Sequence, residues 1–141
     1  MSRENKGSVI SAPYPPADKA TMYFIGVTTG KSSIMKVFPA WADYLNLGDV
    51  ELKGIDMKLH DKPENYREVV EFIRSDPKSY GALVTTHKID LYQACKKYFD
   101  LISHDTHEMG EVSSIYKFRE KLAAEAKDGI TSGLALNRLL P

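Results

Sequence analysis

Between residues 22 and 98, three short apolar runs alternate with three stretches of helical periodicity. Met22–Val27, Val50–Met57 and Tyr80–Thr86 have strand length and little internal polarity. Ser32 or Ser33 is placed to cap a helix to about Leu47, with Ile34, Val37, Phe38, Trp41, Tyr44 and Leu45 on its apolar positions and Gly48 as its stop. Pro63 opens a second helix, Tyr66, Val69, Val70 and Ile73 form its stripe, and Asp76-Pro77 ends it. Ile89–Tyr98 reads as a third. Strand, helix, strand, helix, strand, helix requires crossover connections, hence a mostly parallel sheet covered by helices: an α/β domain in three layers.

The remainder is less regular. Residues 1–20 are rich in Pro, Ser and Lys and read as a flexible arm, so order is expected to begin at Met22 and the domain to span 21–141. Val112–Tyr116 and Lys121–Ala126 read as a further strand pair joined by the charged turn Lys117–Glu120. Gly129–Leu140 reads as a final helix.

Composition narrows the function classes. With 141 residues the chain is long enough for one self-sufficient core. Lys plus Arg and Asp plus Glu both number 19, so no net charge favours nucleic acid or an anionic membrane surface. No apolar run approaches the roughly 20 residues of a membrane span. Cys95 is the only cysteine, which rules out an internal disulfide and suits a cytoplasmic location. In an apolar helical face, it reads as a core residue.

In a parallel α/β sheet the ligand site lies at the carboxyl ends of the strands. Three places qualify: the loop after Val27, the Thr85–Lys88 turn, and the segments around Ser113 and Asp128. The first, Gly26-Val-Thr-Thr-Gly30-Lys31-Ser32, invites a phosphate-loop reading, but that motif needs four residues between its glycines and here there are three. A tight turn, or a loop offering Ser32 and a helix N-terminus to a ligand carboxylate, are the other readings. Lys88 follows a strand and opens a helix, where a half-buried amine can transfer protons. His104 and His107 have metal-like spacing without a third strong ligand, so that segment reads as a solvated loop and no metal is assigned.

In order, these segments resemble the N-terminal substrate-binding domain of the shikimate/quinate dehydrogenase family, over about residues 22–136. The family's first loop is G-x-P-x-x-x-S-x-S-P; Gly26 and Ser32 match, while Thr28, Ile34 and Met35 replace the first proline, the second serine and the last proline. Its block N-V-T-[VI]-P-[HF]-K corresponds to Ala82-Leu83-Val84-Thr85-Thr86-His87-Lys88. Asp100-Leu-Ile-Ser103 and Gly110 follow D-x-[LI]-S and its later glycine. G-A-V-N-T becomes Gly110-Glu-Val-Ser113-Ser114, and N-T-D-G becomes Ala126-Lys127-Asp128-Gly129.

The resemblance implies an amino-acid-dehydrogenase-like fold, a place in aromatic amino acid biosynthesis, and hydride transfer between NADP and an alicyclic hydroxy acid such as shikimate. It makes Lys88 and Asp128 the catalytic pair, with Ser32, Ile34, Thr85 and Ser113 at the substrate-binding positions. Ile34 and Ser113 replace polar family side chains, and each lost buried donor costs about 1–3 kcal/mol, so a related acid is as fitting a ligand as shikimate. The family's NADP domain follows this one, and no G-x-G-x-x-G occurs in this chain. The expectation is therefore a substrate-binding domain that binds no cofactor and transfers no hydride by itself. A stand-alone module for small carboxylates is the alternative, a phosphate-loop nucleotide binder the third reading, and homodimer formation stays open.

Overall fold

The computed structural model describes residues 8–126. Among them, seven strands form one sheet: β1 (Val9–Ile10), β2 (Thr21–Gly26), β3 (Glu51–Asp56), β4 (Ser79–Val84), β5 (Leu101–Ile102), β6 (Ser114–Phe118) and β7 (Lys121–Glu125). Their order is β1-β3-β2-β4-β6-β7-β5. β1, β3, β2 and β4 run parallel, β6 is antiparallel to both β4 and β7, and β5 pairs parallel with β7. The helices are α1 (Ile34–Tyr44), α2 (Pro63–Ser75), α3 (Lys88–Cys95) and α4 (His104–Met109). The three-layer, mostly parallel α/β architecture is the one the alternation implies.

Strand alternation divides the core in two. Tyr23, Ile25, Ile55, Ala82, Val84, Ile115, Leu122 and Ala124 turn to one face, where they pack with α2 and α3. The α2 stripe Tyr66, Val69, Val70 and Ile73 is fully buried there, as its spacing requires, and Cys95 joins it. On the other face Met22, Phe24 and Leu52 meet Met35, Phe38 and Ala42 of α1.

Four local expectations are corrected. First, residues 8–20 are tied to the domain, and order does not wait for Met22. β1 pairs with the outer edge of β3, Gly54 N–H donates to Ser8 carbonyl at 2.9 Å, and Tyr14 stacks on Phe72 with ring centroids 5.3 Å apart. An edge strand's unpaired backbone groups recruit such a segment whatever its composition.

Second, α1 buries Met35, Phe38 and Ala42, while Val37, Trp41, Tyr44 and Leu45 face outward. Trp41 is 53% exposed and Tyr44 85%. The apolar residues outnumber those one helix seam can bury, so periodicity alone misplaces the seam.

Third, residues 104–109 form a helix in place of a loop. Ser103 Oγ accepts the Thr106 N–H at 3.2 Å, and Gly110 closes the helix at φ +69°. Fourth, β6 runs on to Phe118, so the hairpin turn is only Arg119-Glu120, both at positive φ (53° and 70°), the geometry of a two-residue type I′ turn. The helix read over Gly129–Leu140 lies outside the described residues.

Candidate functional site

The carboxyl ends of β2, β3 and β4 come together around the loop after β2. Gly26, the last residue of β2, is wedged between two threonines: a Cβ there would stand 2.9 Å from Thr85 Cγ2 and 3.1 Å from Thr29 Cγ2. Glycine is what allows the first loop and the β4–α3 turn to approach each other. Between them lies a cavity of about 200 Å³ lined by Phe24, Gly26, Val27, Thr28, Thr29, Ser32, Thr85 and Thr86. Hydroxyl-bearing side chains dominate its wall.

Asp56, which ends β3, organises the first loop. Its Oδ1 accepts both the backbone N–H of Thr29, at 2.8 Å, and the Thr29 hydroxyl, at 2.6 Å. Thr29 starts a short 3-10 turn, Thr29–Lys31, in which Lys31 N–H donates to Thr28 carbonyl and Ser32 N–H, just after it, to Thr29 carbonyl. A phosphate loop needs free, convergent amides and no competing carboxylate. Here a carboxylate already occupies the Thr29 amide.

The β4–α3 turn carries the second group of residues. Thr86 has φ +66°, and the His87 N–H closes back on the Thr85 carbonyl at 2.6 Å. Left-handed φ is a strained conformation for a β-branched residue. In the resembling family block this position is proline, whose ring fixes φ near −65° and cannot follow this path. Lys88 comes next, half-buried, as the first residue of α3. Its carbonyl accepts the Val112 N–H at 3.1 Å, while the Ser113 carbonyl accepts the Val84 N–H at 2.9 Å. Those two bonds lay the 112–113 segment along the end of β4.

The expected site residues thus separate into groups. Ser32 and Thr85 line the cavity, joined by Thr86. Lys88 and Ser113 are not among its lining residues; the backbone bonds just described hold both segments at the end of β4. Ser113 is buried, with its N–H on the Glu125 carbonyl at 2.9 Å and its Oγ on the same carbonyl at 3.4 Å. Ile34 packs with Met22, Phe24 and Val50 against the α1 core and is not among the residues lining the cavity. Asp128 lies outside the described residues.

Sequence reading missed Asp56, Thr86 and a buried pair behind Lys88, Tyr66 and His87. The Tyr66 hydroxyl lies 2.8 Å from His87 Nδ1, and both residues are buried. For Asp56 a signal existed, because it is the acid at the carboxyl end of an apolar strand. Nothing local marks the other two.

A larger groove, about 540 Å³, opens at the far end of the sheet beside Arg74, Pro77, Lys117 and Lys121. Three of its charged residues are engaged. Arg74 lies 3.6 Å from Glu71, Lys117 Nζ donates to the Asp76 carbonyl at 2.6 Å, and Asp100 accepts the Leu122 N–H at 2.8 Å. Burial pulls the Lys117 ammonium pKa down. The groove borders the amino end of β4, the wrong end for the ligand site of such a sheet. Size is therefore the poorer guide. Among the described residues no cluster of three or more His, Cys, Asp and Glu could hold a metal ion, and no helix is long and apolar enough to cross a membrane.

Comparison with solved structures places this geometry among relatives. The chain is similar to a shikimate dehydrogenase solved in complex with NADP+, at 25% identity and a TM-score of 0.65, covering 94% of this chain and 41% of that one. Shikimate 5-dehydrogenase from Listeria monocytogenes, solved with shikimate and NAD, matches at 19% identity and a TM-score of 0.68 over 86% of this chain and 39% of that one. The 5-ketofructose reductase of Gluconobacter sp. strain CHM43 matches at 15% identity and a TM-score of 0.67, covering 86% of this chain and 41% of the reductase. No family model matches the sequence, and no curated protein matches it in sequence. The chain has the fold of part of a shikimate dehydrogenase, as the motif resemblance implies, and spans about two fifths of the length of the solved chains it matches.

Proposed function

We propose that this chain is the substrate-binding domain of a shikimate-dehydrogenase-like oxidoreductase and takes a small polyhydroxylated carboxylate at the Ser32–Thr85–Lys88 end of the sheet. The observation that carries the reading is the hydroxyl-lined cavity at the carboxyl ends of β2 and β4, whose wall residue Thr86 lies two positions before Lys88. Hydroxyl side chains suit a ligand rich in hydroxyls, and similar folds belong to enzymes named for shikimate and for 5-ketofructose.

In this reading Ser32 and Thr85 bind and orient the ligand's oxygens. Lys88 donates to the hydroxyl at the reacting carbon. A carboxylate beside it, assigned to Asp128 by the motif alone, holds the amine in place and shares the proton as the hydroxyl becomes a carbonyl. NADP, where a joined domain binds it, supplies the hydride acceptor. Among the described residues, the glycine-rich loop after β2 does not suit that cofactor, since its Thr29 amide is engaged by Asp56 and its Lys31 and Ser32 amides by the loop's own carbonyls. The roles given to this chain are therefore binding, orientation and proton handling.

The substitutions point away from a full shikimate grip. Ile34 belongs to the core cluster of α1, and the Ser113 hydroxyl is turned onto a backbone carbonyl. An acid with fewer ring hydroxyls to satisfy fits these residues at least as well.

Calorimetric titration of the chain with shikimate, quinate and ATP tests the reading. Binding of a hydroxy acid that is weakened by Lys88→Met, with no heat from ATP, is the expected result. ATP binding without hydroxy-acid binding would overturn it.

A further inference from the structure

The β4–α3 turn is strained at Thr86, yet it sets where α3 begins and so where Lys88 stands. Something must hold it. The residue after the strained one, His87, is fully buried, with its ring turned toward α2. There it meets Tyr66, itself 1% exposed.

The Tyr66 hydroxyl accepts the Asp61 N–H at 3.2 Å. The same oxygen is hydrogen-bonded to His87 Nδ1, 2.8 Å away. His87 Nε2 has no hydrogen-bond partner among the described residues. A fully buried imidazole with one ring nitrogen unsatisfied is an expensive way to fill space. A phenylalanine would fill it without that cost, which marks the Nδ1 bond as the feature the site retains.

We propose that Tyr66 and His87 are positioning residues for Lys88: the buried Tyr66–His87 hydrogen bond clamps the left-handed Thr86 turn and so fixes the direction in which Lys88 enters the site. The proposal rests on the reading of Lys88 as the proton-handling residue. The clamp acts through the backbone: His87 N–H closes the turn onto Thr85, and the His87 carbonyl accepts the Leu91 N–H at 2.8 Å, starting α3. Neither Tyr66 nor His87 lines the Ser32–Thr85 cavity, so their effect on a ligand is indirect.

A glycine at position 86 adopts positive φ without strain, so it makes the clamp dispensable. That gives a test which separates clamping from packing. The measurement is the ε-carbon signal of Lys88 in chain labelled with 13C-lysine, assigned with Lys88→Arg, together with the rate of reductive methylation at Lys88. The chains compared are wild type, Tyr66→Phe, Thr86→Gly and the double variant, with circular dichroism to confirm folding. Tyr66→Phe is expected to displace or broaden the Lys88 signal and to speed its methylation roughly fivefold, the population factor one lost hydrogen bond carries. Thr86→Gly added to Tyr66→Phe is expected to bring both readouts back toward wild type.

An unchanged Lys88 signal and rate in folded Tyr66→Phe would overturn the proposal, as would a double variant displaced as far as Tyr66→Phe alone. If Tyr66→Phe does not fold, His87→Asn, whose amide oxygen can accept the Tyr66 proton, is read in its place, with unchanged Lys88 readouts expected and displaced ones overturning the clamp. None of these readouts depends on ligand binding. Failure of the Lys88 reading shows separately, as hydroxy-acid binding indifferent to Lys88→Met.

Discussion

A single carboxylate oxygen of Asp56 accepts two hydrogen bonds from Thr29, one from its backbone N–H and one from its hydroxyl. The bond joins the end of β3 to the loop that carries Ser32. Thr29 fits because residue 54, beneath it, is glycine: an added Cβ would overlap the Thr29 hydroxyl and stand 2.9 Å from its Cβ. Thr29→Val should therefore cost about 0.5–1.5 kcal/mol, the net worth of one hydrogen bond, because the exposed Asp56 oxygen keeps the Thr29 N–H and meets water. Gly54→Ala should cost at least as much by overpacking, and only partly less in a Thr29→Ala background, since the Thr29 Cβ contact survives there. Urea unfolding of Thr29→Val, Gly54→Ala, Thr29→Ala and the Thr29→Ala, Gly54→Ala double variant checks both statements.

Thr86 gives an opposite sign. At φ +66° a β-branched residue is strained, and glycine is not. Thr86→Gly is expected to stabilise the chain by about 1 kcal/mol, net of glycine's greater freedom in the unfolded state. Thr86→Pro, the residue of the family pattern, is expected to destabilise it by about 3 kcal/mol or more, because its ring forbids the observed φ. Thermal melts of both variants decide the point.

Burial pushes the Cys95 thiol from its ordinary 9.0 up to about 12, with Arg67 opposing weakly. The folded state thus favours the protonated thiol. Its contribution is complete below pH 9, the unfolded value, and is lost as pH rises from 9 toward 12. Tyr14, pushed from 10.0 to about 12 chiefly by its own burial, adds a loss that begins near pH 10. Denaturant midpoints measured across this range should fall, and Cys95→Ala should remove the part that begins at pH 9 while lowering stability at pH 7 through the cavity it leaves.

The fold was legible where pattern and packing coincide. Pro63–Ser75 shows both its limits and its stripe in sequence, because one helix face carries four of its five large apolar residues and the ends carry proline and Asp-Pro. α1 misleads because apolar residues surround most of it. Phe38→Ala is expected to cost about 3 kcal/mol and Trp41→Ser within about 0.5 kcal/mol, the reverse of what their sizes suggest. The hairpin turn Arg119-Glu120 was blurred because neither residue is one that favours positive φ. In the site, Ser32, Thr85 and Lys88 were legible as residues just past strands, a matter of topology. The Asp56–Thr29 and Tyr66–His87 bonds join residues 27 and 21 positions apart, and no local pattern encodes a pairing of that kind.

Residue-resolved chemical-shift mapping with shikimate tests the central claim most directly. The candidate cavity and the larger groove lie at opposite ends of the sheet, so one 15N-labelled titration distinguishes them. Shifts concentrated at Ser32, Thr85, Thr86, Lys88 and Ser113, with Arg74, Lys117 and Lys121 unmoved, are the predicted result. Shifts confined to the Arg74–Lys117–Lys121 groove, or none at millimolar shikimate and quinate, would contradict it.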